Sequence, residues 1–88
     1  LGKINIKTLS AFDKCFRKLH PDIRNIVLNK LDIFIKSPNH PSLRIKKIKG
    51  TDNIWEMSIT RNYRITFTPV GNTKILRKVG THNILNKQ

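Results

Sequence analysis

Apolar and polar residues alternate in several short stretches of this chain and follow a helical period in two others. The order of the two patterns predicts the fold. Residues 3–8 read Lys3-Ile-Asn-Ile-Lys7-Thr8, the period of two expected of a half-buried strand. Ser10 then marks a helix start, with Asp13 three positions on to complete a box-like cap and to favour the helix N-terminus by its charge. Phe12, Cys15, Phe16 and Leu19 fall at i, i+3, i+4 and i+7 and form one apolar face. Cys15 lies on that face, so it reads as a packed core thiol rather than a nucleophile. His20-Pro21 interrupts the pattern, and Pro21 suits the first position of a second helix. Ile23, Ile26, Val27, Leu31, Phe34 and Ile35 supply its core stripe, while Arg24, Asn25, Asn29, Asp32 and Lys36 face away. Ser37-Pro38 ends it, and so short a break between helices predicts an antiparallel hairpin.

The second half reads as strands over residues 43–49, 54–60, 63–68 and 74–79, with turns at residues 50–53, 61–62 and 69–72. The order β-α-α-β-β-β-β predicts a single α+β domain over residues 1–88, a helical hairpin packed on an antiparallel sheet. Trp55, Met57 and Ile59 share one face of their strand, and Tyr63, Ile65 and Phe67 one face of the next. If these pack beneath the helices, Glu56, Ser58, Thr60, Arg64, Thr66 and Thr68 line an open concave surface on the other side.

Charge narrows what that surface meets. The chain holds 18 Lys and Arg against 5 Asp and Glu, a formal charge of +13. Self-repulsion of this size works against the compact state, so a polyanion or an acidic protein would stabilise the fold by binding it. Nucleic acid, a ribosome or an acidic partner are the expected targets. Cys15 is the single cysteine, which excludes an intrachain disulfide and fits a reducing cytoplasm. No apolar run approaches the ~20 residues of a membrane-spanning helix, and the first residues lack the apolar core of a signal peptide. The opening residue is Leu1 rather than Met, as expected of a processed or trimmed start.

Candidate chemistry gathers in the second half. Arg44, Lys46, Lys47 and Lys49 place four cations in six positions, either a lysine-defended edge strand or a rail that tracks phosphates. Arg64 sits in mid-strand between Tyr63 and Ile65, and its guanidinium offers a rigid fork of donors that matches phosphate oxygens. A salt bridge to Glu56 across the hairpin is the competing role. His82 follows Gly80-Thr81 and is able to exchange a proton near neutral pH. His20 and His40 precede prolines and read as turn residues, with His40 placed to flank the groove. There is no Cys/His pair at ligand spacing, no carboxylate cluster and no phosphate-binding glycine loop, which argues against metal-dependent hydrolysis. Phosphodiester cleavage without a metal favours RNA, whose 2′-hydroxyl is an internal nucleophile.

The run His40-Pro-Ser-Leu43, Lys49-Gly50, Trp55-Glu56, Tyr63-Arg64-Ile-Thr-Phe67 and Gly80-Thr-His82 resembles the RelE/ParE superfamily of type II toxin–antitoxin toxins, specifically its RelE- and YafQ-like mRNA interferases. The resemblance covers nearly the whole chain. It implies the RelE-like fold, a helical hairpin on an antiparallel sheet, and cleavage of mRNA in the ribosomal A site by metal-independent attack of the 2′-hydroxyl. It implies no cofactor, and it names as partners an acidic, co-encoded antitoxin, the ribosome and mRNA. By this resemblance Arg64 steadies the scissile phosphate and His82 acts as general acid or base. Lys46 lies on the strand where relatives place a proton-handling lysine or glutamate, and Glu56 is near enough to assist. Arg44, Lys46, Lys47, Lys49, Arg61, Arg77 and Lys78 are expected to bind RNA, with His40 and Asn83 as accessory residues. Arg64→Ala is expected to abolish cleavage and leave the fold intact. Two positions depart from the family: Asn83 stands where many relatives carry Asp, and Asn86 where YafQ-like members carry an aromatic ring. A ParE-like gyrase inhibitor, or a weakened member that only binds RNA or its antitoxin, are the alternatives.

Overall fold

The computed structural model describes residues 4–86. Its elements run β1 (Asn5–Thr8), α1 (Ser10–Arg17), α2 (Pro21–Lys36), β2 (Lys46–Lys47), β3 (Trp55–Ser58), β4 (Tyr63–Val70) and β5 (Thr73–Thr81), with 3-10 turns at Pro41–Leu43 and His82–Asn86. Lys3, the first residue of the predicted opening strand, lies outside the described residues. The expected α+β architecture is present, a helix pair on a five-stranded sheet ordered β1-β5-β4-β3-β2. The sheet is antiparallel from β2 to β5, whereas β1 joins the far edge parallel to β5, so the whole is mixed.

The helix hairpin forms where its apolar period places it, but the caps differ from the pattern. Leu9 is extended and bonds its N–H to the Leu76 carbonyl at 3.0 Å, continuing the attachment of β1 to β5. The helix therefore starts at Ser10 itself, and Leu9 occupies the cap position with no side-chain bond. Asp13 lies in the first turn as a charge complement only. At the second helix, His20 takes the cap role, its Nδ1 accepting the Asp22 N–H at 3.2 Å. Arg24, expected to face away, folds back and donates from Nη1 to the Arg17 and Leu19 carbonyls, both at 3.2 Å, closing the end of α1.

Phe12, Val27, Phe34, Leu43, Met57, Ile59, Ile65, Phe67, Leu76 and Val79 form the core. Phe34 meets Phe67 with ring centroids 5.2 Å apart and tilted by 59°, joining helix to sheet. Cys15 is a free thiol, half-buried against the core as predicted. In α2, Ile33 packs against the core, while Ile35, predicted for the stripe, is only half-buried.

Three departures in the β half shape the site. The predicted strand over residues 43–49 shrinks to Lys46–Lys47, because the 3-10 turn before it buries Leu43 completely and leaves Arg44 left-handed at φ 48°. Pro69 and Val70 extend β4 rather than turning. Pro69 tolerates this because β3 begins opposite Phe67, leaving β5 as its one neighbouring strand. Thr66 pairs with Lys78 and Phe67 with Leu76, so Arg77 is the extra residue of a bulge. The bulge resolves a conflict in the sequence: Leu76 and Val79 lie three apart and so alternate faces in a regular strand, yet both are buried.

Candidate functional site

On the face of the sheet away from the helices, register builds two adjacent rows. Lys46, Glu56, Thr66 and Lys78 stand opposite one another across β2, β3, β4 and β5, and Ser58, Arg64 and Gly80 form the next row. This face is less open than the alternation implies. Thr66 is completely buried and Glu56 is only 9% exposed. Arg44, Lys46, Glu56, Ser58 and Arg64 line what remains, a cleft of about 340 Å³ with three cations around one carboxylate.

Arg64 is the best-tied side chain of the cleft. Its Nη1 donates to the carbonyls of Thr60 at 2.6 Å, Tyr63 at 2.9 Å and Arg61 at 3.2 Å, stitching together the β3–β4 turn. Its Nε lies 3.6 Å from Glu56 Oε1, an ion pair too long for a hydrogen bond, with both side chains more than four-fifths buried. The expected salt bridge therefore exists, and Arg64 still lines the cleft. Among the described residues these contacts engage Nη1 and Nε of the guanidinium.

The four cations of residues 44–49 do not form one rail. Lys46 faces the cleft beside Glu56, whereas Lys47 pairs with Trp55 and takes the opposite face. Lys49 is exposed in the turn after β2, and the left-handed backbone of Arg44 places it at the cleft wall. Arg61 is exposed in the β3–β4 turn, with its carbonyl holding Arg64. Lys78 ends the row through Thr66, while Arg77 occupies the bulge. Both are half-buried.

His82 does not share the Arg64 cleft. It lines a separate, wider hollow of about 510 Å³ with Asn62, Tyr63, Thr81 and Asn83. Arg64 pairs with Gly80, so His82 lies two residues beyond that pair, about 7 Å along the chain at strand rise. Its ring is exposed and takes no hydrogen bond among the described residues. Gly80 is required here, since a Cβ at that position would come within 2.8 Å of Ile84 Cγ2 in the turn that follows. His40 lines neither hollow; its side chain caps the 3-10 turn ahead of Arg44, Nδ1 accepting the Ser42 N–H at 3.2 Å and lying 2.9 Å from Ser42 Oγ. Ser58 and Tyr63 line the two hollows and were not singled out from sequence, although the alternation had placed Ser58 on the correct face. Among the described residues no group of three or more His, Cys, Asp or Glu side chains is arranged to hold a metal ion.

No protein-family model and no curated protein matches the sequence. Solved structures do match it. A chain of the RelB–RelE antitoxin–toxin complex of Methanococcus jannaschii shares 26% identity, with 92% of this chain and 95% of that one covered at a TM-score of 0.75. YafQ of E. coli superposes over 94% of this chain and 98% of its own with a TM-score of 0.75 at 13% identity. The intact E. coli RelBE complex matches over 89% and 95% at 18% identity, with a TM-score of 0.70. A helix pair on a five-stranded mixed sheet, with nearly complete mutual coverage of these toxins, gives the chain the RelE-like toxin fold.

Proposed function

We propose that this chain is the toxin of a type II toxin–antitoxin pair and acts as a metal-independent endoribonuclease on ribosome-bound mRNA. The observation that carries the reading is the cleft itself: Arg44, Lys46 and Arg64 surround the Glu56 carboxylate on a RelE-like sheet, with His82 one hollow away. Arg64 presents a guanidinium to the scissile phosphate and stabilises the charge of the phosphorane. The 2′-oxygen loses its proton to a base and bonds to phosphorus. Glu56 accepts that proton more directly than Lys46, whose ammonium has no acceptor until it is itself deprotonated. The bond from phosphorus to the 5′-oxygen then breaks, and His82 gives that oxygen a proton. A 2′,3′-cyclic phosphate and a 5′-hydroxyl end result. Arg44, with Lys46, holds the neighbouring backbone by charge. An acidic antitoxin and the ribosome are the partners of this reading, which places the protein in the cytoplasm.

The ties of Arg64 favour a second reading, a member that binds RNA or antitoxin without cutting. Three carbonyls and Glu56 already engage the guanidinium, and His82 stands outside its cleft. Mapping the 5′ ends of an mRNA on programmed ribosomes separates the two. Wild-type protein is expected to produce A-site cuts that require ribosomes and that His82→Ala loses or slows by about a hundredfold or more, the usual scale of general acid–base catalysis. Salt-sensitive RNA binding with no product supports the binding reading. Poisoned supercoiling without RNA cleavage supports a ParE-like inhibitor.

A further inference from the structure

We infer that Ile84 is a positioning residue: seated on Gly80, it pegs the turn that carries His82 and so fixes where the imidazole stands. Its place in the fold follows from register. Gly80 pairs with Arg64, and directly paired residues point to the same face, so a side chain on Gly80 would stand beside Arg64 on the cleft face. Ile84 takes that space, its Cγ2 lying 2.8 Å from where a Cβ on Gly80 would be. Thr81 pairs with Tyr63, which packs against the core from the helix side. Between Thr81, directed to the helix side, and Ile84 on the cleft face, the chain rounds the end of the sheet. His82 and Asn83 are exposed at that bend.

Core packing does not account for Ile84. It is half-buried, yet among the described residues it does not join the side chains packed on the hydrophobic core. The 3-10 turn that contains it lies against β4 and β5. The exposed His82 ring is therefore placed by its backbone, held on one side by the Tyr63–Thr81 pair and on the other by the contact of Ile84 with Gly80. Two residues between fixed ends have little freedom. Released at one end, the same span frays.

A general acid acts only while it is within reach of the leaving oxygen, and a misplacement of ~1 Å costs up to about a hundredfold in rate. Ile84 acts on the chemistry through His82 alone. That consequence rests on the proposed nuclease reading; the placement of the ring does not.

Ile84→Ala removes the Cγ2 contact, whereas Ile84→Val keeps both γ-carbons and loses only the δ-methyl. The first readout is the ring 1H–15N spectrum, in which the His82 signals are those absent from His82→Ala. Ile84→Ala is expected to move them towards the positions of an unstructured peptide and to leave the His20 and His40 signals in place; Ile84→Val is expected to leave all unchanged. The second readout is cleavage on programmed ribosomes, measured below the Tm of each variant. Ile84→Ala is expected to lower kcat about tenfold with KM held within about twofold, and Ile84→Val to stay within about twofold of wild type in both. Ile84→Ala/His82→Ala is expected to cleave no more slowly than His82→Ala, since a peg acting through His82 then has nothing left to place. Losses that multiply in the double variant, a change in KM in place of kcat, a loss in Ile84→Val equal to that in Ile84→Ala, or His82 signals that do not move in Ile84→Ala overturn the inference. If wild-type protein makes no cuts, the nuclease reading fails, and the ring signals decide by themselves whether Ile84 places His82.

Discussion

Replacing Arg64 with alanine tests the structural account of the cleft as well as its chemistry. The expectation from sequence was a silent fold with lost activity, but the guanidinium is tied to three turn carbonyls and paired with Glu56. Arg64→Ala leaves the Glu56 carboxylate unpaired at 12% side-chain exposure. Breaking a buried pair costs about 3–5 kcal/mol, and a cleft open to water puts this one near the low end, about 3 kcal/mol. The freed carbonyls add less, because the Arg61 side of the turn is exposed and rehydrates. A domain of this length is stable by roughly 4–13 kcal/mol, so a loss of about 3 kcal/mol lowers Tm by about 12–24 °C. Urea titration followed by Trp55 fluorescence measures the change, with an unaltered m-value confirming that the unfolded reference is the same. Glu56→Gln in the Arg64→Ala background removes the uncompensated charge and is expected to recover about 1–2 kcal/mol. A loss under about 1 kcal/mol for the single variant, or a further loss for the double variant, would refute the argument that this pair is buried and coupled. Cleavage by Arg64→Ala is to be compared with wild type well below the lowered Tm, with Arg64→Lys retaining the charge but not the fork.

Three further outcomes follow from the same geometry. Gly80→Ala drives a methyl into Ile84 Cγ2 and is expected to cost about 1–2 kcal/mol in thermal melts, with Gly80→Ala/Ile84→Ala regaining part of it. His20→Ala removes the cap of α2 and costs about 1 kcal/mol, a Tm drop of about 4–8 °C, whereas His82→Ala, exposed and unbonded, stays within about 0.5 kcal/mol of wild type. If Arg44 and Lys46 each neutralise one phosphate of single-stranded RNA, Arg44→Ala and Lys46→Ala each reduce the slope of log affinity against log salt by about 0.7, while Lys47→Ala, on the opposite face, leaves it unchanged.

The sequence alone determined most of the fold of this protein, and for a local reason. Period and proline position are properties of neighbouring residues, so α2 begins at Pro21 and ends at Lys36 as read, and Met57, Ile59, Ile65 and Phe67 are buried on the predicted side. The same alternation put Glu56, Ser58 and Arg64 on one face, and the Gly80-Thr-His82 motif pointed to a residue that a packed isoleucine requires to be glycine. Tertiary structure decided what depends on partners far along the chain. A period of two says which face a residue takes but not which strand lies alongside, so the parallel attachment of β1 to β5 was not legible. Ser10 lost the capping role because Leu9, held extended by its hydrogen bond to Leu76, takes the cap position, and the burial of Leu43 turned an apparent strand into a 3-10 turn that sends Arg44 to the cleft. The bulge at Arg77 arises because two buried residues three apart must both reach one core. The separation of His82 from the Arg64 cleft has the same origin, since a hollow is made by side chains that only long-range packing brings together.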